Sequence, residues 1–234
     1  MIKFTQGGSP VFTAAVKYSI PVMLGYLALG SAFGLLIVDT GYPWWLSPVM
    51  SFVMFAGAGQ FIAVGLFAAG ANFWEAVLVQ LVVNARHIAY GFSMFNRYNE
   101  TGLYKYYLAF GMTDETFALL SSMPENTAGS RKNFMLIVTA MNHLYWVVGS
   151  TIGAIAGSLI PFNTEGVGFA LVALFVVLMI EQILKIRKPG IFVVSAICAV
   201  FGVIFLPSRM ALLAAMILAL LLAYCLQQKQ EAAK

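Results

Sequence analysis

The chain has 234 residues, 61% hydrophobic and only 9% charged, with a mean hydropathy of +0.88. A soluble domain carries about 25% charged residues, so most of this surface faces lipid, and a soluble enzyme or binding module is excluded. The net charge of +4 comes from cations that are scattered or sit at segment ends, which orients helices in a bilayer and does not track phosphates.

A bilayer span needs about 20 mostly apolar residues. Stretches near 15–38, 47–70, 73–95, 134–160, 166–184, 190–206 and 210–226 satisfy that requirement. An eighth, 104–121, is shorter and contains Asp114 and Glu115. The expected fold is an all-α, polytopic transmembrane bundle of seven or eight membrane segments, some broken or re-entrant. A single transporter-like domain over 1–234 accounts for the whole length.

Before the first span, residues 1–13 hold only Lys3 and no cleavage-site pattern, so no removable signal peptide is expected. Pro21 removes a backbone hydrogen bond early in that span, and Gly25, Gly30 and Gly34 follow it. Two readings stand for this stretch: a helix that unwinds, or a small-residue face that packs closely. In the second segment Ser47-Pro48 reads as a helix cap followed by a proline in the first turn. Gly57-Ala58-Gly59-Gln60 does not fit a packing ridge and predicts unwound backbone, which at membrane depth must line protein or a water-filled cavity.

Asn72 with Glu75 forms a capping box that opens the third segment. Near its centre Asn84-Ala85-Arg86-His87 places a cation where insertion costs about 2.5–3.5 kcal/mol. On a regular helix Gln80, Asn84, His87 and Gly91 share one stripe, while Arg86 points roughly 100° away, toward Val82 and Tyr90. Arg86 is either a structural cation paired with a carboxylate or the counter-charge for a substrate carboxylate. His87 is either a packed hydrogen bonder or part of a proton relay.

The fourth segment reads Thr113 as an N-cap with Asp114 and Glu115 in the next turn, which implies a half-helix beginning inside an apolar region. Either carboxylate is a candidate partner for Arg86 or a proton carrier beside His87. The fifth segment adds Thr139, Asn142, His143, Trp146 and Ser150, candidates for a cavity lining or for bonds between helices. Gly149, Gly153 and Gly157 form a further small-residue face. The last three segments are nearly uniform in aliphatic residues and read as scaffold; Cys198 and Cys225 within them read as small buried hydrophobes.

Orientation follows the cations. Eight crossings with a cytoplasmic N-terminus put Lys3, Lys17, Arg131-Lys132, Lys185, Arg187, Lys188, Lys229 and Lys234 inside, and Asp39 and Glu165 outside. Arg97 and Lys105 then fall outside, against the bias. A re-entrant segment at 104–121, with another non-spanning segment earlier, removes the conflict; both arrangements stay open, with eight segments preferred.

Four ordered blocks carry a family resemblance. Pro21-x-x-x-Gly25-Tyr26 with Gly30 and Phe33-Gly34, then Phe55-Ala56-Gly57-Ala58-Gly59-Gln60-Phe61, then Asn84-Ala85-Arg86-His87 with Tyr90-Gly91, then Asp114-Glu115-Thr116-Phe117 resemble the AzlC family. Its members are large subunits of bacterial branched-chain amino-acid exporters. The resemblance implies a secondary transporter of the bacterial inner membrane that exports valine, leucine and isoleucine, and in some members methionine, and works with a small hydrophobic AzlD-type subunit. Proton coupling is the expected drive, and no cofactor is implied.

A zwitterionic substrate needs a carboxylate site, an ammonium site and an apolar pocket. Tyr26, Gly57, Gly59, Gln60, Asn84, Arg86, Asn142 and Trp146 are the candidate substrate-binding residues, with Phe55 and Phe61 completing the pocket. His87, Asp114 and Glu115 are the candidate proton-coupling groups, and no metal site is expected. The alternative from another class is a passive channel for small zwitterionic or anionic solutes. An intramembrane enzyme ranks last, because no HExxH or GxSxG pattern occurs.

Overall fold

The computed structural model describes residues 8–123, 131–159 and 189–205, with Val176 and Ile180 besides. These residues are helical or lie in short turns, and no strand occurs among them. The helices are α1 (Gly8–Asp39), α2 (Leu46–Val53), α3 (Ala58–Ala68), α4 (Phe73–Asn84), α5 (Arg86–Asn99), α6 (Tyr104–Phe110), α7 (Asp114–Ser121), α8 (Arg131–Leu159) and α9 (Pro189–Phe205). The expected spans at 210–226 and, apart from those two residues, at 166–184 lie outside the described residues, as does Cys225.

Two compact units divide the chain: Met1–Ala69 with Val83–Val167, and Gly70–Val82 with Gly168–Lys234. In the second unit the capping box is formed, Asn72 N–H donating to Glu75 Oε2 and Glu75 N–H to Asn72 Oδ1. That unit also holds α9, an apolar helix with Cys198 buried as expected of a small hydrophobe.

The first unit is built on α1 and α8. Both are long and apolar enough to cross a membrane, at Val11–Asp39 and Arg131–Leu159. They run parallel: Tyr18 meets Phe134 near one end, Tyr26 lies against Gly149 in the middle, and Leu35 and Val38 lie against Gly157 near the other. The glycines set the approach. A Cβ on Gly30 would lie 2.9 Å from the Ser150 nitrogen, and one on Gly153 would run into the Ser31 backbone. Ser31 Oγ donates to the Leu27 carbonyl of its own helix and, across this close contact, to the Gly149 carbonyl. Of the two readings for 21–34, packing is the one realised. α1 continues unbroken through Pro21, because its contact with α8 holds the helix across the missing bond.

The segment 47–70 does not form a plain span. α2 carries in its first turn Ser47, whose hydroxyl donates to the Ser150 carbonyl, and the chain descends through Phe52 to Phe55 just past its end, both beside His143. α3 then climbs back through Phe61 against Phe33 to Phe67 against Tyr42, beyond the end of α1. α2–α3 is therefore a hairpin that turns back near the middle of α8. Ser47 does not cap its helix as the Ser-Pro pattern suggests, since its hydroxyl is spent on α8.

A second hairpin enters from the opposite end. Lys132, at the start of α8, sits over the Tyr104 ring at the start of α6. α6 rises to Phe110 and Gly111, beside His143 and Thr139. α7 returns, so that Tyr18 donates to the Leu119 carbonyl and Arg97 to the Leu120 carbonyl. α5 runs toward that same end, from Arg86 beside Asp114 to Arg97 beside Leu120. A core of Val11, Ala15, Met94, Leu108, Leu120, Phe134 and Met135 packs beneath the hairpin.

Arg97, Lys105 and Arg131-Lys132 thus share one end with Lys17, while Asp39 lies at the other. Arg97 and Lys105 lie with those other cations, the placement expected of the arrangement with a re-entrant segment at 104–121. Every described Lys or Arg except Arg86 lies at this basic end.

Two outcomes test this unit. With Cys198 and Cys225 replaced by Ser, single cysteines at Thr40 and Ala69 should react with an impermeant maleimide from one side of the membrane. Cysteines at Leu103 and Ser122 should react from the other side only. Gly153→Val should lower stability by about 1–3 kcal/mol by forcing α1 from α8, read as thermal unfolding in detergent. Gly25→Ala, where a Cβ meets nothing within 4 Å, should leave it unchanged.

Candidate functional site

The tips of the two hairpins meet at the middle of the α1–α8 pair. Tyr26 lies near the midpoint of Val11–Asp39, and His143 near that of Arg131–Leu159. Unwound backbone at membrane depth needs partners other than lipid, and neighbouring side chains supply them here.

At the first tip Phe55 and Gly57 both take positive φ, 39° and 48°. Gly57 bears that conformation at little cost; Phe55 is strained and stays because its ring is wedged against His143, with centroids 4.5 Å apart, and edge-on to Tyr26. Gln60, fully buried, stitches the break together. Its Oε1 accepts from the Ala56 N–H (3.2 Å) and the Trp146 indole (2.8 Å), and its Nε2 donates to Ser51 Oγ (3.2 Å). The unwinding expected at 57–60 is present at 54–57, with Gly59 and Gln60 already in the first turn of α3.

At the second tip Thr113 caps α7, its hydroxyl accepting from the Thr116 N–H. The Tyr26 hydroxyl lies 2.6 Å from Thr113 Oγ1 and donates to Glu115 Oε2 at 2.8 Å. Asn142 Nδ2 donates to Thr116 Oγ1 at 2.9 Å, so α8 grips the same turn that α1 holds. The Asn142 Oδ1 and Thr139 Oγ1 atoms beside it are buried without a hydrogen-bond partner. Buried polar atoms are rarely left so; the amide oxygen can accept a hydrogen bond and the hydroxyl can accept or donate one.

Arg86 Nη1 pairs with Asp114 Oδ2, and the Tyr90 hydroxyl donates to Asp114 Oδ1 at 2.9 Å. Arg86 and Tyr90 stand one turn apart on α5, the face the helical wheel assigns to the arginine. Among the described residues this is the only ion pair. The two carboxylates therefore divide their partners: Asp114 takes the cation and Glu115 takes the phenol. His87 is not part of either group. Its Nδ1 bonds the Asn84 carbonyl across the turn at Ala85, and its ring meets Tyr90 edge-on. That turn also interrupts the expected Gln80–Asn84–His87–Gly91 stripe; Gln80 belongs to the second unit.

Tyr26, Phe55, Phe61 and Trp146 come together, as the expected apolar pocket requires. Tyr26 meets Trp146 at 5.3 Å between centroids and Phe55 at 6.2 Å, and Phe61 meets Trp146 at 6.5 Å. All four rings are buried and fill the space between them, so this is a closed arrangement. His143, marked from the sequence as a cavity-lining or interhelix candidate, joins the two hairpins; Ser51, bonded to Gln60, and Tyr107, beside His143, were not singled out. His143 stacks on Phe52 and Phe55 and lies 3.3 Å from the Tyr107 hydroxyl, touching both tips at once. The short fourth segment, whose cations disagree with a full crossing, was the signal that pointed to this meeting of tips.

Two opposed hairpins closing on a polar centre, beside two helices long and apolar enough to cross a membrane, place the described residues in the all-α class of helical membrane proteins. Comparison with known proteins gives the family. The family model described as AzlC protein matches residues 21–160, and the chain belongs to the AzlC family. The branched-chain amino acid transport protein AzlC of Bacillus subtilis is 43% identical over 179 residues, 76% of this chain and 70% of that one. An uncharacterized membrane protein of Helicobacter pylori strain 26695 is 38% identical over 82% of this chain and 86% of its own. The inner membrane protein YgaZ of Escherichia coli is 31% identical over 90% and 88%. No solved structure matches the chain.

Gln60→Leu should strand the Trp146 indole and the Ala56 N–H at once. At about 1–3 kcal/mol for each orphaned group, the thermal midpoint in detergent should fall clearly below wild type, with a changed Trp146 fluorescence.

Proposed function

We propose that the chain is a secondary transporter that exports branched-chain amino acids, and methionine with them, across the bacterial inner membrane. It works by exchange with protons and in complex with a small AzlD-type subunit, with its N-terminus in the cytoplasm. The observation that carries this reading is the pair of opposed hairpin tips meeting on Tyr26, with charged and unpartnered polar groups beside an aromatic cluster. The substrate class follows from the Bacillus subtilis relative's name, and the membrane from that of the Escherichia coli relative.

In this reading the substrate carboxylate binds Arg86 and the positive end of α7, which half-helices in transporters commonly offer. The ammonium binds Glu115 and Asn142 Oδ1. Tyr26, Phe55, Phe61 and Trp146 part to admit the aliphatic side chain, and Gly57, Gly59 and Gln60 let backbone approach it. Asn84 and His87 hold the turn that presents Arg86. A proton and an ammonium compete for the carboxylates Glu115 and Asp114, so each displaces the other; that competition makes the cycle an exchange.

Counterflow of labelled leucine in vesicles separates a carrier from a channel, because only the carrier shows trans-stimulation. Arg86→Ala should reduce export to background while the chain remains inserted, and export at the wild-type rate would overturn its role. Adding a protonophore should slow export; indifference to it would remove the proton from the cycle.

A further inference from the structure

At the basic end a cavity of about 190 Å³ opens between the end of α5 and the start of α8, lined by Arg97, Glu100, Thr101, Arg131, Lys132 and Met135. Three cations face one carboxylate there, and Glu100 is in no ion pair with any of them among the described residues. Arg97 is partly engaged, its Nη1 donating to the Leu120 carbonyl at the end of α7. Arg131 Nε is buried and has no hydrogen-bond partner. Lys132 rests on the Tyr104 ring, 4.4 Å from its centroid, and makes no ion pair among the described residues.

The placement of Arg131 and Lys132 works against the helix that carries them. They occupy the first turn of α8, which contains no acidic residue. The positive end of the helix dipole disfavours cations and favours anions at that position. Two cations gathered against the dipole, beside a third and lining one cavity, form a site that an anion would complete. Guanidinium forks match phosphate oxygens two at a time. The end of a bundle where cations cluster is also where headgroup phosphates of anionic lipids lie.

We propose that this cavity binds a phosphate-bearing anion, with Arg131 and Lys132 as its main ligands and Arg97 at its edge. Its position gives the site a consequence. Lys132 touches the foot of α6 and Arg97 the foot of α7, so the anion sits across both feet of the second hairpin. Occupancy ties that hairpin to α5 and α8. The effect on transport rests on the carrier function proposed above; binding itself does not.

The test uses the full-length protein in detergent, by native mass spectrometry with phosphatidylglycerol, cardiolipin or phosphatidylcholine added, and by a parallel titration with inorganic phosphate. Retention of the anionic lipids over phosphatidylcholine identifies a headgroup site. Retention of inorganic phosphate without that preference identifies a free phosphate site. Arg131→Gln and Lys132→Gln should each weaken the bound species by roughly fivefold, and Arg131→Lys should recover part of the loss. Equal retention of all three lipids together with no binding of phosphate overturns the proposal, as does binding unchanged in both glutamine variants. Thermal unfolding of each variant separates lost binding from lost fold. Stimulation of counterflow by anionic lipid reports the transport consequence separately, so its failure leaves the binding result readable.

Discussion

Every peptide group that leaves a helix inside a membrane needs a partner supplied by the protein. Two hairpins turn at the middle of this unit, and each breaks a helix there. The partners come from the α1–α8 pair: Trp146 through Gln60 for the first tip, Tyr26 and Asn142 through Thr113 and Thr116 for the second. Those side chains reach both tips only because α1 and α8 touch backbone to backbone at Gly30, Gly149 and Gly153. In lipid, apolar burial does little to hold helices together, and close packing with hydrogen bonds takes its place. Small residues at the contact therefore fix where the polar centre can be.

Much of this was legible in the chain because lipid penalises irregularity. An apolar stretch that contains Gly57-Ala58-Gly59-Gln60 or Thr113-Asp114-Glu115 tolerates those residues only with a structural reason, and both stretches are breaks. Thr113 as a cap and Arg86 on the Tyr90 face follow from local geometry alone, and both hold. Pro21 was misleading, because a proline weakens one bond while the whole length of α8 supports the helix around it. Ser47 was misleading for a related reason: a local cap lost to a distant carbonyl.

What the sequence did not display was the reversal of direction. Segment 47–70 is as long and as apolar as a span, and nothing in its periodicity distinguishes a helix that crosses from two that fold back. The cations did carry the information, as the mismatch at Arg97 and Lys105, but it became decisive only once Arg97 was seen beside Leu120. The division of labour between Asp114 and Glu115 was likewise out of reach. Adjacent residues on a helix point about 100° apart, and which one meets Arg86 depends on how α5 and α7 are placed.

The level at which Glu115 sits has an electrical consequence. Arg86 and Asp114 cancel each other, whereas Glu115 receives only a neutral phenol among the described contacts. Tyr26, to which it is bonded, stands about halfway along a helix long and apolar enough to cross a membrane, so a charge on Glu115 would lie partway through a transmembrane field. Under the transport function proposed above, a cation reaching that carboxylate from either face would cross about half the potential, worth about 1.2 kcal/mol for each 100 mV. On that function, membrane voltage would act on the loading of this single carboxylate, and the energised state of the cell would be felt at the point where the two hairpins close.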